Sequence, residues 1–231
     1  MSILTRPDEL ITEFLKARLT DPRARLTSDS DTFTATASQT EFVLTPTTSS
    51  NLVRCITSVT VAGSAKEKWQ EYSIDLANKK IVLTTGASAG ETVVVAYKTS
   101  ASGEDWIYPD MPRSDLGKTK FPRISIEVIT KTGERNGPYS ASVTNLVHFQ
   151  VDCWTKDGYS KTYSGKNFTK QNLAEYLAHQ VEDAFIDYVD DLYPKLYDYD
   201  EVAFNNMPFD EESQTYRHKQ EFTLNGVDVG H

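Results

Sequence analysis

Residues 29–102 read as strand from end to end, and this stretch is flanked by a helical opening and a second half that mixes helix and strand. A chain interrupted in this way has few architectures open to it, because the two patterns bury their apolar residues at different periods. Phe33, Ala35 and Ala37 alternate at period two, and Phe42 and Leu44 begin a second strand. Further strands are expected over Leu52–Val61, Glu71–Asp75, Lys80–Thr84 and Thr92–Lys98. Asn78-Lys79 and the run Gly86-Ala87-Ser88-Ala89-Gly90 supply turn residues between them. Short strands at this spacing predict a small sandwich or barrel.

The flanks follow other rules. Pro7, Asp8 and Glu9 start a helix well, since proline suits the first turn and acids complement the dipole there. Leu10, Ile11, Phe14, Leu15 and Leu19 continue it as one apolar stripe, and Asp21-Pro22 ends it. Beyond the β stretch, Asp110–Lys120 is expected to be a loop, with Pro112 and Gly117. A strand through Ile124, Ile126 and Val128 follows Phe121-Pro122-Arg123, and Thr132–Tyr139 is expected to turn. Ser142–Lys156 is the strongest strand pattern: Val147, Phe149, Val151 and Cys153 share one face, and His148, Gln150, Asp152 and Trp154 the other. A helix is predicted over Thr169–Leu192, with Leu173, Leu177, Val181, Ala184, Phe185, Tyr188 and Leu192 as its buried stripe. Strands near Glu201–Asn205 and Thr215–Leu224 close the chain. Setting the β stretch aside, the order helix, strand, strand, helix, strand, strand predicts an α+β fold, helices packed on an antiparallel or mixed sheet. The expected domains are a core of residues 1–28 and 103–231 and an inserted β-sandwich or barrel of residues 29–102.

The net charge of −9 and pI near 5.0 speak against a protein that holds nucleic acid by neutralising phosphates. No long apolar run is present, and Arg6, Asp8, Glu9 and Glu13 stand where a signal peptide would be apolar, so a soluble chain with no membrane partner is expected. Cys55 and Cys153 have no metal-like spacing and read as buried small hydrophobes. The Gly86–Gly90 run lacks the lysine and helix of a phosphate loop, and no serine has a nucleophile-elbow context. No catalytic residue, cofactor or metal is therefore expected. Glu175, His179 and Asp183 share a helix face at i, i+4, i+8, a row that reads as a solvated face before it reads as a metal site. Trp69 and Tyr72 are stacking residues for a sugar if the β module binds glycans, and core residues otherwise. The acidic run Glu182, Asp183, Asp187, Asp190, Asp191, Asp198, Asp200 and Glu201 contains one base, Lys195, and is interleaved with tyrosines. It is either a solvated helix end or an acidic surface over which DNA slides.

The order of elements, with FPRISI at 121–126, VHFQVDCWTKDG at 147–158, NLAEYLAHQVEDAF at 172–185 and EESQTYRHKQEFTL at 211–224, resembles the tail-terminator or tail-completion proteins of long-tailed phages and related viruses. The resemblance covers residues 1–25 and 106–224, and the β stretch departs from the compact members of that family. It implies a non-enzymatic virion structural protein at the head–tail junction, assembled in the host cytoplasm. Such a protein forms a ring of its own copies, a homohexamer, that caps the tail-tube protein and meets the head-side connector or stopper. The genome passes through without specific binding. On this reading Lys131–Tyr139 and Asp110–Lys120 contact neighbours and the acidic run lines the channel. The alternatives are another neck component, such as a head-completion or stopper protein, and an accessory tail protein whose β module binds host glycans.

Overall fold

The computed structural model describes residues 7–68, 70–101, 105–109, 120–135, 142–192, 196–212 and 214–229, with their side chains except those of residues 134–135, 142–145, 189–192, 196–202, 204 and 226–229. Among the described residues the fold is α+β and mostly sheet. Contacts divide the chain into two compact units, Met1–Leu15 with Trp106–His231, and Lys16–Asp105. The first boundary falls inside helix α1 (Pro7–Arg18), so residues 16–28 cluster with the β stretch.

The unit Lys16–Asp105 holds β1 (Thr27–Thr34), β2 (Gln39–Val43), β3 (Leu52–Val61), β4 (Ser64–Ala65), β5 (Tyr72–Asp75), β6 (Lys80–Ala87) and β7 (Thr92–Ser100). They form two antiparallel sheets, ordered β1-β7-β3-β4 and β2-β6-β5. Period-two side chains from both sheets meet in one core that includes Phe42, Ile81, Leu83, Val93, Val95 and Tyr97. This sharing of one core by two sheets makes the unit a small sandwich. Gly86 is required by a close approach: a Cβ there would lie 2.6 Å from the Ser38 carbonyl oxygen. Gly90 takes φ 85° in the β6–β7 turn, a conformation that suits glycine. Asp29 and Asp31 on β1 accept backbone hydrogen bonds from Thr47 and Thr45 at 2.8 and 2.6 Å, strapping the segment after β2 to the sheet. Lys98 donates to the carbonyls of Lys16, Ala17 and Leu19 at 2.7, 3.0 and 3.2 Å, satisfying groups that a helix end leaves without partners. Burial pulls its ammonium pKa down. Asp21 accepts a two-pronged ion pair from Arg25 at 2.8 and 2.9 Å, and both side chains are nearly fully buried.

The other unit holds the start of α1, β8 (Ile107–Tyr108), β9 (Arg123–Arg135), β10 (Ser142–Lys156), the hairpin β11 (Ser160–Tyr163) and β12 (Lys166–Thr169), helix α2 (Lys170–Leu192), β13 (Leu196–Asn206) and β14 (Thr215–Val229). Its main sheet is ordered β13-β14-β10-β9-β8, antiparallel except for the short parallel pair β8–β9. The strand expected over Ser142–Lys156 is the sheet's central strand, and its apolar face is fully buried at Val147, Phe149, Val151 and Cys153. On that face Phe149, Phe185, Phe222 and Phe14 pack ring to ring, with centroids 4.9 to 5.7 Å apart. The α2 stripe is buried at Leu173, Leu177, Val181, Ala184 and Phe185, but Tyr188 is 45% exposed and has non-helical φ/ψ, where the helix kinks.

Three expectations change. Strand β9 continues to Arg135, through Gly133, because it stays in register with β10 from Lys131↔Val147 to Arg135↔Val143; the rest of the expected turn, residues 136–139, lies outside the described residues. Strand β13 starts at Leu196 instead of near Glu201, with bulges after Leu196 and Glu201 that break the alternation a sequence pattern would show. The hairpin β11–β12 occupies residues for which no strand was expected. The Asp110–Lys120 loop, apart from Lys120, lies outside the described residues.

Candidate assembly site

The face of the main sheet opposite α2 is polar yet largely closed to solvent. Alternation along β10 places Gln150, Asp152 and Trp154 on it, and the registers with β9 and β14 set each in a cross-strand row. The rows are Arg123, Trp154 and Arg217; then Ser125, Asp152 and Lys219; then Glu127, Gln150 and Glu221. Ser125 and Asp152 are 0% exposed. Asp152 accepts from Arg217 Nε and from Gln150 Nε2, both at 2.5 Å. Burial nevertheless raises its carboxyl pKa, the Arg217 and Gln150 hydrogen bonds offsetting only part of that cost. The Arg217 guanidinium also lies 4.7 Å from the centroid of the Trp154 ring, and that of Arg123 lies 4.0 Å from Tyr108. Glu221 bonds to Lys219 and stands 3.5 Å from His148 Nε2, and its carboxyl pKa is lowered chiefly by the Lys219 bond.

The helix-covered face has one polar corner. Asn206 at the end of β13 accepts from Gln171 Nε2 at 2.6 Å and donates to Glu175 at 2.7 Å, and its Oδ1 lies 2.7 Å from His218 Nδ1. His218 stands on β14 among polar neighbours in sequence, yet it is 8% exposed, and burial lowers its imidazole pKa. Cys153 is its cross-strand partner, and burial raises the thiol well above the ordinary range. Both groups are thus driven toward neutrality, the opposite of a thiolate–imidazolium nucleophile.

The sequence-predicted residues fall in different places. Glu175 bonds to Asn206, His179 is exposed beside Glu182 at 3.3 Å, and Asp183 is exposed, so the three do not converge. Tyr72 is 4% exposed inside the sandwich core, which removes it as a sugar-stacking surface; Trp69 lies outside the described residues. The acidic run is split. Glu182, Asp183, Asp187, Asp190 and Asp191 are on α2, with Asp183 and Asp187 exposed; Asp198, Asp200 and Glu201 are on β13, opposite Asn225, Thr223 and Phe222.

Two features suited to assembly were not legible in the pattern. Strand β13 is a long edge strand, with one side of its backbone unpaired within the sheet among the described residues. The ladder of β9, β10 and β14 continues past the buried pair Val147–Leu224 for five further residues of β10, out to Ser142↔Val229. At roughly 3.4 Å per residue this arm reaches about 17 Å. Ile129 and Leu146 at its base are 46% and 39% exposed.

Fold and site together define a sheet-dominated α+β protein of two units, with an unpaired sheet edge and an extended β arm. No protein-family model and no curated protein matches the chain.

Proposed function

We propose that this protein is a non-enzymatic structural component of a viral tail. In this reading its α+β unit forms a ring that terminates the tail tube and joins it to the head-side connector, leaving a channel for DNA. The tail-terminator-like fold is part of the same proposal. The observation that carries it is the β9–β10–β14 arm: a paired ladder that runs past the buried pair Val147–Leu224 to Ser142↔Val229, with exposed Ile129 and Leu146 at its base. Exposed apolar side chains such as these gain stability only when another surface covers them. A repeated contact of this kind closes into a ring when its rotation closes. The net charge of −9 is consistent with a channel through which phosphates slide without being gripped.

The test is electron microscopy and native mass measurement of the protein alone and with tail tubes. Closed rings seated on tube ends, and tubes that stop elongating once capped, are the expected results. A protein that stays monomeric in both conditions and leaves tube growth unchanged would overturn the reading.

A further inference from the structure

The hairpin β11–β12 carries charge of the opposite sign to the rest of this acidic chain. Residues 156–170 contain four lysines, Lys156, Lys161, Lys166 and Lys170, against one acid, Asp157. The hairpin register pairs Lys161 with Phe168 and Tyr163 with Lys166, so alternation sets two lysines and two aromatics on one face. Tyr176 of α2 supports that face, with ring centroids 4.7 Å from Phe168 and 5.8 Å from Tyr163. Tyr163 remains 59% exposed. The result is an exposed aromatic ring held by its neighbours and flanked by ammonium groups.

The far end of the same helix shows the complement. Residues 182–191 contain five acids and no base. Asp183 and Asp187 are exposed there, and between and beside them Ile186 and Tyr188 are 56% and 45% exposed. Each patch thus joins exposed apolar area to charge, the composition of an interface centre with a charged rim. Tyr176, on which the hairpin rests, and Asp187 are separated by eleven positions of one helix, about 16 Å at 1.5 Å per residue. Among the described residues no ion pair joins Lys161 or Lys166 to Asp183 or Asp187, which leaves both patches open to the complementary patch of another copy.

We infer that the β11–β12 hairpin of one copy docks on the acidic end of α2 in the next, as a head-to-tail contact. This deepens the ring reading and rests on it: a contact between two different patches is heterologous, the type that propagates around a ring. Tyr163 would pack against Ile186 and Tyr188, with Lys161 and Lys166 facing Asp183 and Asp187.

The experiment uses two full-length variants, Lys161→Glu/Lys166→Glu and Asp183→Lys/Asp187→Lys, with circular dichroism and thermal melting to verify folding. Assembly is followed by sedimentation velocity and native mass, with and without tail tubes. Each variant alone should self-associate about 100-fold more weakly than wild type, since like charges then face each other. An equimolar mixture should recover rings in which the two variants alternate, because both the native and the reversed junctions are complementary in charge. A chain carrying all four reversals should recover rings of wild-type size. Rings from either variant alone would overturn the contact and leave the ring reading standing. Wild type that stays monomeric even on tail tubes would overturn both. A lysine variant that assembles normally but loses binding to a single-stranded DNA oligonucleotide would assign the hairpin to nucleic acid instead.

Discussion

The two faces of the main sheet bury comparable stretches of the same strands by opposite chemistry. Under α2, Val147, Phe149, Val151, Phe222 and Leu224 are fully buried and apolar, and their burial is favourable in itself at about 25 cal/mol per Å². On the other face Ser125 and Asp152 are equally inaccessible, yet burial there costs free energy unless every polar atom finds a partner. The first face therefore supplies most of the cohesion. The second contributes little net stability and much selectivity, because only one register of β14 on β10 brings Arg217 within hydrogen-bond distance of Asp152.

The largest expected effect comes from the apolar face. Phe185 touches Phe14, Phe149 and Phe222, so Phe185→Ala removes the ring that joins both helices to the sheet. It should cost about 3–5 kcal/mol in denaturant titration. A loss below about 1 kcal/mol, the scale of a surface change, would show that this face is not the core.

The polar face should give a smaller loss that depends on chemistry more than on volume. Asp152→Ala leaves Gln150 and Arg217 without their acceptor; Arg217 is 22% exposed, so water screens part of the loss, and about 2–3 kcal/mol is expected. Asp152→Asn keeps an acceptor for Arg217 and removes a buried charge, so its cost should stay below about 1 kcal/mol. Equal losses for both variants in the same titration would mean that space filling governs this face too.

How far these faces could be read from sequence follows from their physics. The apolar face announces itself: Val147, Phe149, Val151 and Cys153 alternate, the α2 stripe repeats at three and four, and the strand and helix bounds were legible to within a residue. The members of the polar face on β10 were legible too, but not their partners. Asp152 meets Arg217 only because β14 pairs in one register across 65 residues of chain, and no local pattern encodes that number. The β13 start was hidden by bulges, and β11–β12 by a run of lysines and glycines that looks like loop until paired. Of the candidate site, the acids were named but their division between a helix and an edge strand was not. The apolar exposure of Ile129, Leu146, Ile186 and Tyr163 became visible only in three dimensions.

The pH dependence separates the faces by sign. His218, under α2, has its imidazole pKa lowered by burial, so the stability it contributes is present above the ordinary value of 6.5 and is lost as pH falls through the lowered one. Asp152, on the polar face, has its carboxyl pKa raised by burial. Its contribution is greatest below the ordinary 3.8 and is lost as pH rises through the raised value. In melts from pH 4 to 8, His218→Gln should flatten the loss of stability below pH 6.5. Asp152→Asn should gain on wild type as pH rises from 4. Parallel shifts of the two variants would contradict opposite signs on opposite faces.

The smallest effect is expected from an ion pair on the polar face itself. Glu221 bonds to Lys219 as Asp152 does to Arg217, but its side chain is 21% exposed where that of Asp152 is 0%. Its lowered carboxyl pKa means that its contribution is present above the ordinary 4.5 and lost as pH falls through the lowered value. Exposed pairs of this kind contribute about 0–1 kcal/mol, and salt screens them. Glu221→Gln should therefore change stability at pH 7 by less than about 1 kcal/mol, and a double-mutant cycle with Lys219→Met should find a coupling that shrinks in 0.5 M salt, roughly five times the ionic strength at which the screening length is about 10 Å. Were Glu221→Gln to cost as much as Asp152→Ala, with a coupling indifferent to salt, burial would not be what distinguishes the two carboxylates. The polar face would then be held together by its whole ladder of charges instead of by its one sealed pair.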